Sequence, residues 1–227
     1  MSKHYFSKAE FESRQRKVRE AMENAGIELL LVIAPVHINY LIGATAKGYQ
    51  EFQVLFFPLK PGPLVIQSRL PEEPMLIADS LADEVRGWGG REPEDPIEVF
   101  KEILQAKSYK GLRTGLEVPN YYLHPHHHNQ LVALLGDNLV MDATDLIGNI
   151  KLVKSPAEID YVRKAGTILD QGMETCIASI EAGMVIAVEP PVFGLEDGLG
   201  VRLIDNVLIT ETGCERLTTT TRDLIIV

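Results

Sequence analysis

Three short stretches and one pair of cysteines carry the side chains that could do chemistry. The first, His124-Pro-His-His-His128, packs four imidazoles into five residues, and imidazoles this close can take up zinc or nickel. A built ligand set would add helix-spaced partners and carboxylates, and none is adjacent. A solvated helix start is therefore the reading these residues favour. The second, Glu189-Pro190-Pro191, puts a carboxylate at the end of the apolar run Val185-Ile-Ala-Val188. Two prolines stiffen that exit, which suits a metal ligand or a general base. A plain surface strand exit explains the same residues equally well. In the third, Gly200-Val-Arg-Leu-Ile-Asp205, Arg202 and Asp205 flank apolar residues, as on a strand with alternating faces. The fourth is the pair Cys176 and Cys214, far apart in unrelated contexts, which predicts reduced thiols rather than a bridge. No Ser/His/Asp order, Cys/His pair or phosphate-cradling glycine loop is present.

The elements around these stretches alternate. Residues 8–25 predict an amphipathic helix, with Phe11, Val18, Ala21, Met22 and Ala25 near helical spacing and Gly26 as the stop. Residues 27–34 form a nearly continuous apolar run, expected of a strand covered on both faces. A short apolar piece follows at 39–44. Strands at 53–59 and 64–67 are joined by Lys60-Pro-Gly-Pro63, a turn by composition. Asp95-Pro96 opens a helix to about residue 106, with an N-cap and a proline at the first helical position. A strand at 114–118, a helix at 125–135 and a strand at 139–143 complete an α/β layered domain over residues 1–150. The character changes at Ser155-Pro156-Ala157-Glu158, a capping box with proline at its first helical position. That helix should run to about residue 179. Strand-like pieces follow at 185–188, 201–210 and 224–227, a thin inventory for a second domain over 151–227.

Composition narrows the partners. The 227 residues carry 22 basic and 32 acidic side chains, a formal net charge of −10, with 45% hydrophobic and 24% charged residues. That is too apolar for disorder. No Lys/Arg-rich run exists to track phosphates, so nucleic acid is not expected as a partner. No apolar stretch approaches the roughly 20 residues that span a bilayer, and residues 1–6 lack the apolar core of a signal peptide. The expectation is a cytoplasmic protein that makes no membrane contact.

Taken together, several segments resemble the creatinase / prolidase / aminopeptidase P family, whose catalytic domain has the pita-bread fold. The helix at 11–26, the strand at 29–32 and Asn39-Tyr-Leu-Ile-Gly43 resemble its N-terminal domain. Lys154-Ser-Pro-Ala-Glu-Ile159 with Arg163-Lys-Ala165 resembles the hinge into its first catalytic helix. Gly183-Met-Val-Ile-Ala-Val-Glu-Pro190 and Gly200-Val-Arg-Leu-Ile-Asp-Asn-Val207 resemble its last two motifs, and Thr210-Glu-Thr-Gly-Cys-Glu-Arg-Leu217 its C-terminal end. The motifs occur in family order across nearly the whole chain.

The resemblance implies a creatinase-type N-terminal domain, a mixed sheet flanked by helices, followed by a truncated pita-bread (α+β) remnant. It implies descent from a hydrolase of C–N bonds, foremost the Xaa-Pro peptide bond. Metal-dependent members hold two divalent ions (Mn, Co or Zn) with two aspartates, a histidine and two glutamates. The aspartates and the histidine belong between the first catalytic helices and the Gly-Met-Val segment. Here Glu181-Ala-Gly-Met184 runs directly into Val185, as though two Gly-Met copies had fused. A genuine deletion and a faulty gene model both account for that. Carried over by position, Glu189 matches the first glutamate ligand, whereas Ile204 occupies the position of the second. An isoleucine cannot coordinate a hard cation. No metal cofactor is therefore expected in this form, and no catalytic residue is assigned.

The metal-free branch fares no better, because its catalytic histidine would fall in the same missing stretch and no histidine follows His128. Residues 45–51 correspond to the loop that reaches over a partner subunit's site. This loop offers Tyr49 for substrate contact but no arginine to grip a carboxylate. Expected partners are a second copy of the chain or a full-length paralogue. The alternative reading is a non-enzymatic dimerisation or partner-binding module.

Overall fold

The computed structural model describes residues 5–45, 51–90, 95–188, 191–192, 201–202 and 205–218. It divides into two compact units, Met1–Ala157 and Glu158–Val227.

The first unit is a three-layer α/β/α arrangement. Helix α1 (Lys8–Asn24) opens on Ser7, whose hydroxyl accepts from the Glu10 backbone N–H at 3.2 Å. It ends where Gly26 turns left-handed at φ +67°, letting the Ile27 N–H reach back to the Met22 carbonyl at 2.9 Å. Its buried face carries Phe11, Arg14, Val18 and Met22. Strand β1 (Leu29–Val32) is buried at every position, as its unbroken apolar run predicts. The apolar piece expected at 39–44 proves to be the second half of a helix, α2 (Pro35–Ile42). Pro35 starts this helix and Gly43, at φ +72°, stops it.

The two expected strands, β2 (Val54–Pro58) and β3 (Val65–Arg69), pair antiparallel. Helix α3 (Glu73–Asp79) and strand β4 (Glu84–Trp88) follow. Next come α4 (Pro96–Ala106), β5 (Thr114–Leu116), α5 (Pro125–Leu135), β6 (Leu139–Asp142) and α6 (Thr144–Leu152). The strands join in the order β4-β3-β2-β1-β5-β6. Pairs β1/β5, β5/β6 and β3/β4 are parallel, and β2 is antiparallel to both its neighbours.

The side chains of β1 alternate between the sheet's two faces. Leu30 and Val32 join a core with Val18, Met22, Ile38, Leu41 and Ile147 from α1, α2 and α6. Leu29 and Leu31 join the opposite core with Phe56, Phe100, Ile103, Leu131 and Leu135. Each such fully buried side chain contributes about 1.5–3 kcal/mol. A mixed sheet flanked by helices is the fold class the sequence called for.

In the second unit, helix α7 (Pro156–Ala178) is followed by strands β7 (Val185–Val188), β8 (Pro191–Val192), β9 (Val201–Arg202), β10 (Asp205–Thr210) and β11 (Gly213–Arg216). Strands β11, β10 and β7 form an antiparallel sheet with β10 central, and β8 pairs with β9. Among the residues from 158 onward whose burial is described, none is buried.

Candidate functional site

The mixed topology brings one group of the first unit's polar side chains to the carboxyl end of the sheet. Strands β1, β3, β4, β5 and β6 all finish there and β2 begins there, so α2, α4, α5 and α6 start at that end. Side chains and helix N-termini converge outside the carboxyl ends of parallel strands, the usual place for a site in an open α/β sheet.

At its centre is Glu117, which follows β5 and is 1% exposed. One carboxylate oxygen accepts from the backbone N–H groups of Ile33 (2.8 Å) and Ala34 (2.9 Å). The other lies 2.7 Å from His37 Nδ1 in the first turn of α2. A carboxylate has only acceptors, so His37 must carry its proton on Nδ1. Ala34 gives α2 no side-chain cap. The Glu117 carboxylate, from 83 positions away, accepts instead from the N–H of Ala34 itself, favourably placed near the positive end of the helix. Next to it, the Thr144 hydroxyl accepts from the Val118 N–H at 2.9 Å.

A second cluster surrounds the start of α5. His124 is the N-cap, and its Nδ1 accepts from the His126 N–H at 3.2 Å. His124 and His126 are exposed, but His127 is half-buried, its ring edge-on to Phe52 at 5.1 Å. The helix start read from the sequence is thus present but only partly solvated, because the third imidazole packs on an aromatic. Phe52 is itself buried, against Phe100 at 6.3 Å, and its carbonyl accepts from Trp88 Nε1 at 2.8 Å. Asp95 caps α4 through the Ile97 N–H (2.8 Å) and accepts from Gln130 Nε2 (3.3 Å). Glu51 stands 3.9 Å from Arg69. Burial, and then the neighbouring His126 and His124, push the His127 imidazole below its ordinary value against the opposing pull of Asp95 and Glu51.

Nothing in the primary structure marked Glu117 as functional. The only hint is a lone carboxylate just beyond a strand whose β1 neighbour is wholly apolar. Of the residues singled out from the sequence, Tyr49, Glu189 and Ile204 lie outside the described residues. Cys214 is a free, exposed thiol. Among the described residues no group of three or more His, Cys, Asp or Glu side chains is placed to hold a metal ion. The four imidazoles of 124–128 are not brought to a common point, with His124 and His126 ring centres 6.1 and 5.7 Å from that of His127.

The two-metal centre that the family resemblance implies does not fit this donor set. Residues 179–184 alone separate α7 from β7, leaving no chain for two aspartates and a histidine. Of the two glutamate positions the resemblance implies, one would be Glu189 and the other an alkyl side chain, Ile204. One carboxylate out of five ligands cannot hold a two-metal centre.

Residues 14–153 match the sequence model of the Creatinase/Prolidase N-terminal domain, and the chain belongs to that family. It is 26% identical over 186 residues to an uncharacterised hydrolase/peptidase of Sinorhizobium fredii, a match covering 79% of this chain and 47% of that protein. With the ectoine hydrolase of Halomonas elongata the identity is 24% over 185 residues, covering 79% and 46%. The chain therefore spans about half the length of the curated relatives it matches, which are named as hydrolases and peptidases. Among solved structures, dipeptidase PepE from Mycobacterium ulcerans superposes with a TM-score of 0.63 at 21% identity, over 93% of this chain and 64% of that one. A proline dipeptidase from Streptococcus pneumoniae matches with a TM-score of 0.51 at 20% identity, over 62% of this chain and 98% of that one. At those identities the likeness is one of fold. Among the described residues, no helix is long and apolar enough to cross a membrane.

Proposed function

We propose that this chain descends from a hydrolase of C–N bonds, foremost the Xaa-Pro peptide bond, and that it does not itself hydrolyse through a two-metal centre. The reading rests on one observation. The chain passes from α7 to β7 across residues 179–184, where the family's missing ligands would have to be. Ile204 at the second glutamate position supports it from the sequence side.

The role that remains is association, with a second copy of the chain as occupant and a full-length paralogue as the alternative. A specific feature favours this. Val162, Ile168 and Ile177 of α7 are 62%, 69% and 64% exposed, an apolar load that a lone soluble helix does not ordinarily leave in water.

Two measurements test the reading. Calorimetric titration of the metal-stripped protein with Mn(II) should give no stoichiometric binding, and an Xaa-Pro dipeptide should not be turned over. Two ions bound per chain, lost in Glu189→Gln, would overturn the inactive assignment. Light scattering should return twice the monomer mass. A stable monomer at high concentration, together with failure to bind a full-length paralogue, would remove the association role.

A further inference from the structure

We propose that the start of α5 is a proton-sensitive clasp, in which neutral His127 holds the helix on Phe52 and its protonation releases it.

Three features of the geometry lead there. His124 caps α5 through Nδ1, which accepts from the His126 N–H at 3.2 Å. That nitrogen can accept only while it carries no proton. His126 and His127 then occupy the first turn of α5, where the unpaired N–H groups make the helix end positive and an added cation is unfavourable. Finally, His127 lies on Phe52, an apolar contact 5.1 Å between ring centres, and charging a half-buried imidazole there costs solvation.

The groups facing His127 are of both signs. His126 and His124 on its own helix oppose its protonation, whereas Asp95 at the start of α4 and Glu51 ahead of β2 favour it. Both carboxylates have other engagements. Asp95 accepts from Ile97 N and Gln130 Nε2, and Glu51 stands beside Arg69. Burial outweighs them, and the net shift of the imidazole is downward.

The sign follows from linkage. A histidine held below its ordinary value of 6.5 in the folded chain binds its proton more readily when the helix start is open. The clasp is complete above pH 6.5 and weakens as pH falls from there through the lower folded value. Its release loosens the hold on Phe52, the residue through which the chain enters β2, without touching β1 in the middle of the sheet.

Hydrogen exchange of the full chain at pH 7.5 and 5.5, corrected for intrinsic rates, reads this directly. Protection at residues 126–131 should fall about three- to tenfold at the lower pH, with no change at residues 29–32. In the double variant His124→Ser, His127→Phe, a hydroxyl caps the helix and a ring stays on Phe52 without titrating. The fall should then disappear. Unchanged protection in the parent chain, or an equal fall in the variant, would overturn the clasp. Should the variant not fold, an NMR titration of His127 in the parent chain decides: a midpoint below 6.5 supports the clasp, and one at or above it overturns the clasp.

Discussion

Replacing Glu117 is the sharpest test of how the carboxyl end of the sheet is held together. Its carboxylate receives Ile33 N–H, Ala34 N–H and His37 Nδ1–H at 2.8, 2.9 and 2.7 Å, and is out of contact with water. A hydrogen bond to a charged group contributes about 1.5–3 kcal/mol, and three sharing one acceptor do not add. In Glu117→Ala the two backbone donors lose their partner in the core, so the loss should be about 3–5 kcal/mol. Glu117→Gln behaves differently. Its carbonyl can keep the backbone pair while its amide turns to His37, which can shift tautomer and accept. Only the charge assistance disappears, and the cost should be about 1–2 kcal/mol. Trp88 is the sole tryptophan and belongs to the first unit, so its fluorescence in urea reports that unit's unfolding. With a slope of about 2 kcal/mol per molar urea, the midpoint should move down by roughly 2 M for Ala and under 1 M for Gln. An Ala variant losing less than about 1 kcal/mol, or a Gln variant as damaged as Ala, would refute the reasoning.

Three other changes follow from local geometry. A Cβ on Gly115 would meet Ile27 Cδ1 at 2.8 Å and the Ala143 Cβ at 3.1 Å, so Gly115→Ala should cost about 1–3 kcal/mol by overpacking, read from the same urea transition. Ser108 ends α4 at φ +56°, a conformation easier for glycine, and Ser108→Gly should raise stability by about 0.5–1 kcal/mol. The Glu84 carboxyl is held below its usual range chiefly by its hydrogen bond to Lys107, with Arg86 adding to it. That contribution is present above pH 4.5 and fades as pH falls through the lower folded value. Lys107→Met should therefore flatten the acid limb of the stability profile, and an unchanged limb would count against the pairing.

Elements with a strong internal pattern were legible before any coordinates. Helix α1 carries its own periodicity, cap and glycine stop, and α4, α5 and α7 each begin with proline behind a polar residue. The elements that escaped are those whose reason lies elsewhere in the chain. Strand β4 reads Glu84-Val-Arg-Gly-Trp88, with charges and an interior glycine, and is a strand because it pairs in parallel with β3. Its Gly87 is tight for any side chain, since an added Cβ would lie 3.0 Å from the Leu70 Cα. Helix α3, helix α6 and strand β11 likewise carry too little pattern of their own. The run at 39–44 read only as a short apolar piece because so few residues cannot reveal a helical period; the helix begins four residues earlier, at Pro35.

The sequence by itself determined the α/β class and the family. Residue identities and their order are enough for both. Only the tertiary structure decided that Glu117 is the keystone of the sheet's carboxyl end and that one histidine in four packs against Phe52. Glu117 and its partners lie 80 or more positions apart. A side chain's burial and hydrogen-bond partners come from elements that meet across the fold, and no local pattern records them.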